Sequence, residues 1–269
     1  MKLIWLTDTH LNFLHKEDRM SFYQKIKETS GNKVVITGDI ADAPSISSLL
    51  TEMAKAINIP IYFVLGNHDY YHGSVDLVRQ EMIALTEQEP LLHWLPIAGV
   101  QHLGHETILL GQDTWADGRY GDYANSLVSL NDSRMIADLF QSKILGKYAL
   151  LDKMQELADK DANHLKVNLI NAIKNQTLKK IIIALHVPPF PEASLYEGKM
   201  SNDDFLPFFT SKATGDVLLQ ISKENRDIEF LVLCGHTHSK AYWAPRNNLI
   251  VKVGAADYGK PEIQETISI

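Results

Sequence analysis

Short apolar runs recur along this chain, each cut off by a loop of Gly, Asp, Asn and His. Leu3–Thr7, Val34–Ile36, Ile59–Leu65, Lys179–Leu185 and Ile228–Cys234 are brief and almost uniformly apolar, as expected of strands buried on both faces. The stretches between them space their apolar residues by three and four. Lys16 to about Thr29 carries Met20, Tyr23 and Ile26, and Ser30-Gly31-Asn32 closes it. Pro44-Ser45 opens a helix through about Ile57, and Ser74 caps another that runs to about Glu87. This alternation predicts an α/β fold with parallel strands.

The pattern changes after Glu87. Leu91–Leu95 and Thr107–Leu110, separated by Pro96, Gly99 and Gly104, predict antiparallel strands or a hairpin near Leu103-Gly104-His105. Gly111 to Tyr120 is a polar, aromatic loop and a candidate substrate wall. In it Arg119 would contact an anion, while Trp115 and Tyr120, with Tyr70 and Tyr71, would stack on a base or sugar; packing is the competing reading of these aromatics. From Ser133 to about Asn175 the chain reads as helical, with Leu151, Met154, Leu157, Ala158, Leu165 and Leu169 on one face. Ser133–Lys147 has no sheet partner of its own and is expected to cap the site. A helix from about Ala213 to Glu224 and closing strands at Ala241–Trp243 and Leu249–Val253 follow.

A length of 269 residues with 45% hydrophobic and 22% charged residues suits one large domain over 1–269, with a largely helical insertion or cap at about 112–175. The net charge of −7 argues against duplex nucleic acid as partner, because such surfaces are usually basic. Cys234, the single cysteine, rules out an intramolecular disulfide and reads as a buried thiol in a reducing compartment. The apolar start, Met1–Leu6, ends at Thr7-Asp8, too soon for a secretory signal. No stretch approaches the roughly 20 apolar residues of a membrane span. The expectation is a cytoplasmic protein without a membrane partner.

The chemistry lies where the strands stop. Asp8 with His10, Asp39 after Gly38, Asn67-His68-Asp69 after Gly66, His186, and His236 with His238 after Gly235 each follow one of the five apolar runs. Five of the 11 histidines fall there. Residues i and i+2 of an extended segment point the same way, so Asp8 would pair with His10 and His236 with His238. Open parallel sheets gather ligands at the carboxyl ends of their strands. Imidazole nitrogens with carboxyl and carboxamide oxygens, and no thiolate, suit Mn, Fe, Zn or Co. The donors exceed the need of one ion and predict two divalent ions sharing a ligand. His93, His102, His105 and His164 stand outside this set and are assigned to packing or solvent.

The ordered set Asp8-x-His10, Gly38-Asp39, Gly66-Asn67-His68-Asp69, His186 and Gly235-His236-x-His238 resembles the five-block signature of the calcineurin-like metallophosphoesterases. The resemblance implies a four-layer αββα sandwich with two packed mixed sheets and the metal site at the carboxyl ends of the strands. It implies that Asp8, His10 and His238 hold one metal, that Asn67, His186 and His236 hold the other, and that Asp39 bridges them. It further implies that His68 faces the substrate as a catalytic donor and that Asp69 orients it. The expected function is metal-dependent phosphoric ester hydrolysis, a bridging hydroxide attacking phosphorus, directed to a diester of a small molecule or nucleotide. A phosphomonoesterase or nuclease of the same fold, and a non-catalytic metal-binding scaffold, stay open as alternatives.

Overall fold

The computed structural model describes residues 1–269. The predicted alternation runs through the first third as β1 (Lys2–Leu6), α1 (Lys16–Glu28), β2 (Lys33–Thr37), α2 (Ile46–Ile57), β3 (Ile61–Val64), α3 (Val75–Gln88) and β4 (Leu92–Trp94). A single helical turn, α4 (Leu95–Ala98), leads to β5 (Gln101–His102) and β6 (Thr107–Gln112). Beyond an irregular stretch come α5 (Asp132–Met135), α6 (Ala137–Leu145) and the long α7 (Lys147–Ile173). Next are β7 (Lys180–Leu185), a small hairpin of β8 (Leu195–Tyr196) and β9 (Lys199–Met200), α8 (Leu206–Phe209) and α9 (Lys212–Glu224). The chain closes with β10 (Glu229–Cys234), β11 (Ala241–Arg246), β12 (Leu249–Val253) and β13 (Glu265–Ser268).

Two mixed sheets result. The first has the order β13-β1-β2-β3-β4, parallel except for β13; the second has the order β11-β12-β10-β7-β6-β5, with only β11 and β5 antiparallel to their neighbours. The two-residue period of a strand sorts the core. Leu3 and Trp5 of β1 pack with Leu109, Ile182 and Leu231 of the facing sheet. Ile4 and Leu6 turn the other way, onto Phe22 and Ile26 of α1 and Met53 of α2. On the far side, Ile183 and Val232 meet Leu165 and Leu169 of α7 and Leu218 and Ile221 of α9. The order of layers is helix, sheet, sheet, helix, as the resemblance implied.

Of the two alternatives for the stretch after Glu87, the hairpin forms and the antiparallel pairing of the two apolar runs does not. Leu91–Leu95 does not pair with 107–110: Leu92 and Trp94 join the helix-side core of the first sheet, and β4 lies parallel to β3. Pro96 then ends that ladder, and α4 carries the chain across to the second sheet. The expected hairpin does form, through Gln101 opposite Leu109 and His102 opposite Ile108. No helix is long and apolar enough to cross a membrane. α7 spans 27 residues and touches both cores, with Leu150, Met154 and Leu157 against the first and Leu165 and Leu169 against the second.

Candidate metal centre

The carboxyl ends of β1, β2, β3, β7 and β10 meet at one edge of the sandwich. Close approach there demands glycine. Gly38 takes φ +89°, and a side chain on it would run into the His186 imidazole; a side chain on Gly235 would strike Asp8 and Thr7. The donor residues themselves are bent. Asp8, His10, Asp39, His236 and His238 are five of only nine non-glycine residues with positive φ. Each such residue costs on the order of 1–3 kcal/mol and persists where the surroundings dictate it. These bends correct the expectation from alternation: the segments 8–10 and 236–238 are not extended, and His236 and His238 turn to different ligand sets.

In the first set, donor atoms of Asp8, His10, Asp39 and His238 all lie within 4.8 Å of one another. His10 Nε2 is 3.2 Å from His238 Nε2 and 3.9 Å from Asp39 Oδ2, and His238 Nε2 is 3.5 Å from Asp8 Oδ1. In the second, Asn67 Oδ1 is 3.0 Å from His186 Nε2 and 2.9 Å from His236 Nδ1. His186 Nε2 stands 3.3 Å from Asp39 Oδ1. Asp39 thus presents one carboxylate oxygen to each set.

The hydrogen bonds behind these atoms test whether a cation fits. His186 Nδ1 lies 2.8 Å from the Thr37 carbonyl and His236 Nε2 lies 2.9 Å from the Phe208 carbonyl. A carbonyl only accepts, so each of those nitrogens carries the proton and leaves the other with a lone pair. The two lone pairs face each other at 3.2 Å across the Asn67 carbonyl oxygen. That arrangement is repulsive unless a positive charge sits among them. Asn67 Nδ2 donates to Asp132 Oδ1 at 2.9 Å, which fixes the amide with its oxygen inward. Both sets therefore fit divalent cations.

Electrostatics agree. Burial drives His10 down to about 4 against the pull of Asp39 and Asp8, so its ring is neutral at pH 7. Burial and the neighbouring His186 lower His236 as well. For Asp39 and Asp8 burial raises the carboxyl, yet the surrounding imidazoles outweigh it and hold both below the usual range. Neutral His10 and His236 beside ionised carboxylates are the protonation states in which such ligands bind metal; burial lowers His238, but its bond to Asp8 outweighs this and raises it, so a cation there would displace its proton.

His68 lies over this centre. Its ring stacks on Tyr71 at 4.2 Å, and its Nε2 is 4.0 Å from Asp39 Oδ2 and 3.4 Å from the Tyr258 hydroxyl. Asp69 does not reach that imidazole. It is fully buried and accepts the backbone N–H groups of Ile40, Ala41 and Gly66, each at 2.8 Å. Asp69 therefore clamps the Asp39 loop to the His68 loop, and Tyr258 is the partner that the His68 ring has. Two substrate assignments also fail. Tyr70 is 1% exposed, its hydroxyl donating to Asp113 at 2.8 Å, so it packs. Arg119 is held by Asp117 at 3.0 Å and Asp159 at 2.8 Å, which use up its charge. Trp115 does line a cavity that also touches Asn67 and His236.

Sequence reasoning missed Asp132 and Tyr258. Asp132 accepts from Asn67 Nδ2 and, at 2.6 Å, from the Tyr71 hydroxyl. Tyr258 sits 4.5 Å from the His10 ring and 5.0 Å from that of His238. Neither follows a buried apolar run, the signal that revealed the other residues.

The chain is 32% identical over 146 residues to an uncharacterized metallophosphoesterase of Campylobacter jejuni and 28% identical over 116 residues to one of Helicobacter pylori. Those alignments cover 50% and 41% of this chain but only 36% and 27% of the relatives' own lengths. In fold it is similar to a dimetal phosphatase from Danio rerio, at a TM-score of 0.61 and 11% identity over 97% of this chain and 89% of that one. A phosphopantetheinyl hydrolase from Mycobacterium tuberculosis gives a TM-score of 0.60 at 11% identity, covering 96% and 90%. The family model for calcineurin-like phosphoesterases matches residues 1–240, most of the chain and every one of the donor residues above. The chain belongs to the calcineurin-like phosphoesterase family.

Proposed function

We propose that this protein is a metal-dependent phosphoric ester hydrolase that cleaves a diester of a small organic molecule. Asp8, His10 and His238 would hold one divalent ion, Asn67, His186 and His236 a second, with Asp39 shared. Such ions supply Lewis acidity toward the phosphoryl oxygens and make water acidic enough to attack phosphorus near neutral pH. His68 stands over both sets with its Nε2 free of any carboxylate bond. From there it donates a hydrogen bond or proton to the departing oxygen. The Tyr258 hydroxyl steadies the imidazole, and stacking on Tyr71 fixes its plane. Asp69 keeps the His68 and Asp39 loops in register through its three backbone bonds.

The observation that carries the diester reading is the character of the rim. The side chains around the ligand sets are Phe13, Tyr71, Tyr258 and the acidic Asp132. Aromatic and acidic surroundings suit the single negative charge of a diester better than the double charge of a monoester. Manganese-loaded protein tested side by side on bis-p-nitrophenyl phosphate and p-nitrophenyl phosphate decides this. Hydrolysis of the first well above the second is expected. Preference for the second would replace the diester with a monoester, and full metal loading with no turnover of either would indicate a scaffold.

A further inference from the structure

Beside the metal centre, and not used by its chemistry, lies a cavity of about 320 Å³. One wall comes from the β7 strand-end loop and α8, through Val187 and Phe208, with Trp115 between the two sides. The opposite wall comes from 123–154, through Val128, Leu139 and Met154. More than half of the 20 lining residues are hydrophobic. Asn67 and His236 line it too, so the cavity opens directly onto the second ligand set. Its volume is at the lower end of small-ligand pockets and exceeds what a phosphoryl group alone requires.

Its polar lining is mostly bonded within the protein, with Asp132 accepting from Asn67 and Tyr71. The Lys143 ammonium is held only by the hydroxyls of Ser129 and Ser133, at 3.0 and 3.1 Å. Lys147 is held by the carbonyls of Ala124 and Ser126, at 2.9 and 2.7 Å, and both lysines are therefore engaged with neutral oxygens. The Trp115 indole N–H is buried without any partner. An apolar chamber that opens on a phosphoryl-binding centre is shaped for the organic part of the ester.

Resting on the phosphoesterase reading above, we propose that this cavity is the subsite for one ester arm, and that the arm is predominantly apolar, an alkyl or aryl group rather than a sugar or a polyanion. The insertion thereby acts as the specificity wall of the site. Burying apolar surface sets the expected scale, about fourfold in affinity for each methylene that leaves water.

Titration of manganese-loaded protein with methylphosphonate and hexylphosphonate, followed by calorimetry, tests this without turnover. Hexylphosphonate is expected to bind roughly 10²-fold tighter, since most of five added methylenes would be buried. The half-buried Val128 allows a filling substitution at the cavity wall, and Val128→Trp is expected to remove most of that gain. Equal affinity of the two phosphonates would overturn the proposal, as would a gain that Val128→Trp leaves intact in protein with native circular dichroism. Hexanol binding as tightly as hexylphosphonate would also overturn it, because the cavity would then be separate from the centre. Protein that shows the chain-length gain but hydrolyses no ester retires the catalytic reading alone.

Discussion

The strand-end cage and the wall opposite it are built on different plans. The cage gathers Asp8, Asp39, Asn67, His186, His236 and His238 from loops that each directly follow a buried strand, so ten or so backbone positions fix the whole constellation. The wall is one continuous segment from 113 to 173; it touches the cage where Thr114 accepts the His186 N–H at 3.2 Å and where Asp132 accepts from Asn67 and Tyr71. What differs is how each stores its information. The cage is specified by residue type at a few bent positions, the wall by shape and packing along helices. Chemistry is thus expected to fail with single changes in the cage, and selectivity with changes in the wall.

Asp39→Asn is the severest way to test that division. The substitution keeps the size but removes the charge shared by both ligand sets. Loss of the second metal and a fall in turnover on the order of 10³-fold or more are expected, since each metal contributes several kcal/mol of charge stabilisation. Elemental analysis beside kinetics measures both. Retention of two tightly bound ions would show that Asp39 does not bridge.

His68→Ala separates holding metal from using it. The ring contributes no donor to either set, so metal content should stay at the wild-type level while kcat falls about 10²- to 10⁴-fold. If metal is lost and the activity per bound metal is unchanged, His68 is a ligand and the donor role belongs elsewhere.

Legibility in the sequence follows the same division. Asp8, Asp39 and the histidines could be found because a carboxylate or imidazole straight after an apolar strand is exposed by the strand's own geometry. The α/β character was likewise readable from strand–helix alternation, while the four layers came only with the family resemblance. Conformation was not: the left-handed φ of His236 and His238 belongs to the folded loop, and sequence periodicity does not carry it. Nor were the partners of polar groups. Asp69 neighbours His68 in sequence, yet its oxygens are satisfied by Ile40, Ala41 and Gly66, and only the folded loop places those N–H groups around it. Asp132 lies 65 residues from Asn67 and Tyr258 lies 190 from His68, so nothing local marks either.

Asp132→Ala probes the point where a carboxylate of the wall holds a ligand amide of the cage. Without its acceptor the Asn67 amide is free to turn, and partners of this kind are commonly worth about 10- to 100-fold in metal affinity. The loss should fall on the set with His186 and His236, leaving the set with His10 near wild type. Stepwise metal titration reads the two separately. Equal weakening of both would mean that Asp132 supports the loop as a whole rather than the amide.

Acid distinguishes the two regions through their opposite titration. His10 has a folded-state pKa of about 4 against an ordinary 6.5, so the unfolded chain binds more protons between those values and stability falls as pH drops through that window. For the chelator-treated protein at pH 5 His10 alone amounts to about 2 kcal/mol relative to pH 7.5, partly offset within the cage by His238, whose raised value adds stability as pH falls. Asp161 of α7, paired with Arg79 at 2.7 Å, shifts the other way: burial raises its carboxyl despite the guanidinium. A raised carboxyl takes up its proton more readily folded than unfolded, so the packing of α7 gains rather than loses as pH falls toward 4. Amide hydrogen exchange at pH 7.5 and pH 5, corrected for intrinsic rates, should therefore show protection lost first around residues 8–11 and 236–238, with the middle of α7 holding. Protection that collapses in α7 before the strand-end loops would place the acid-sensitive element in the wall and reverse the assignment.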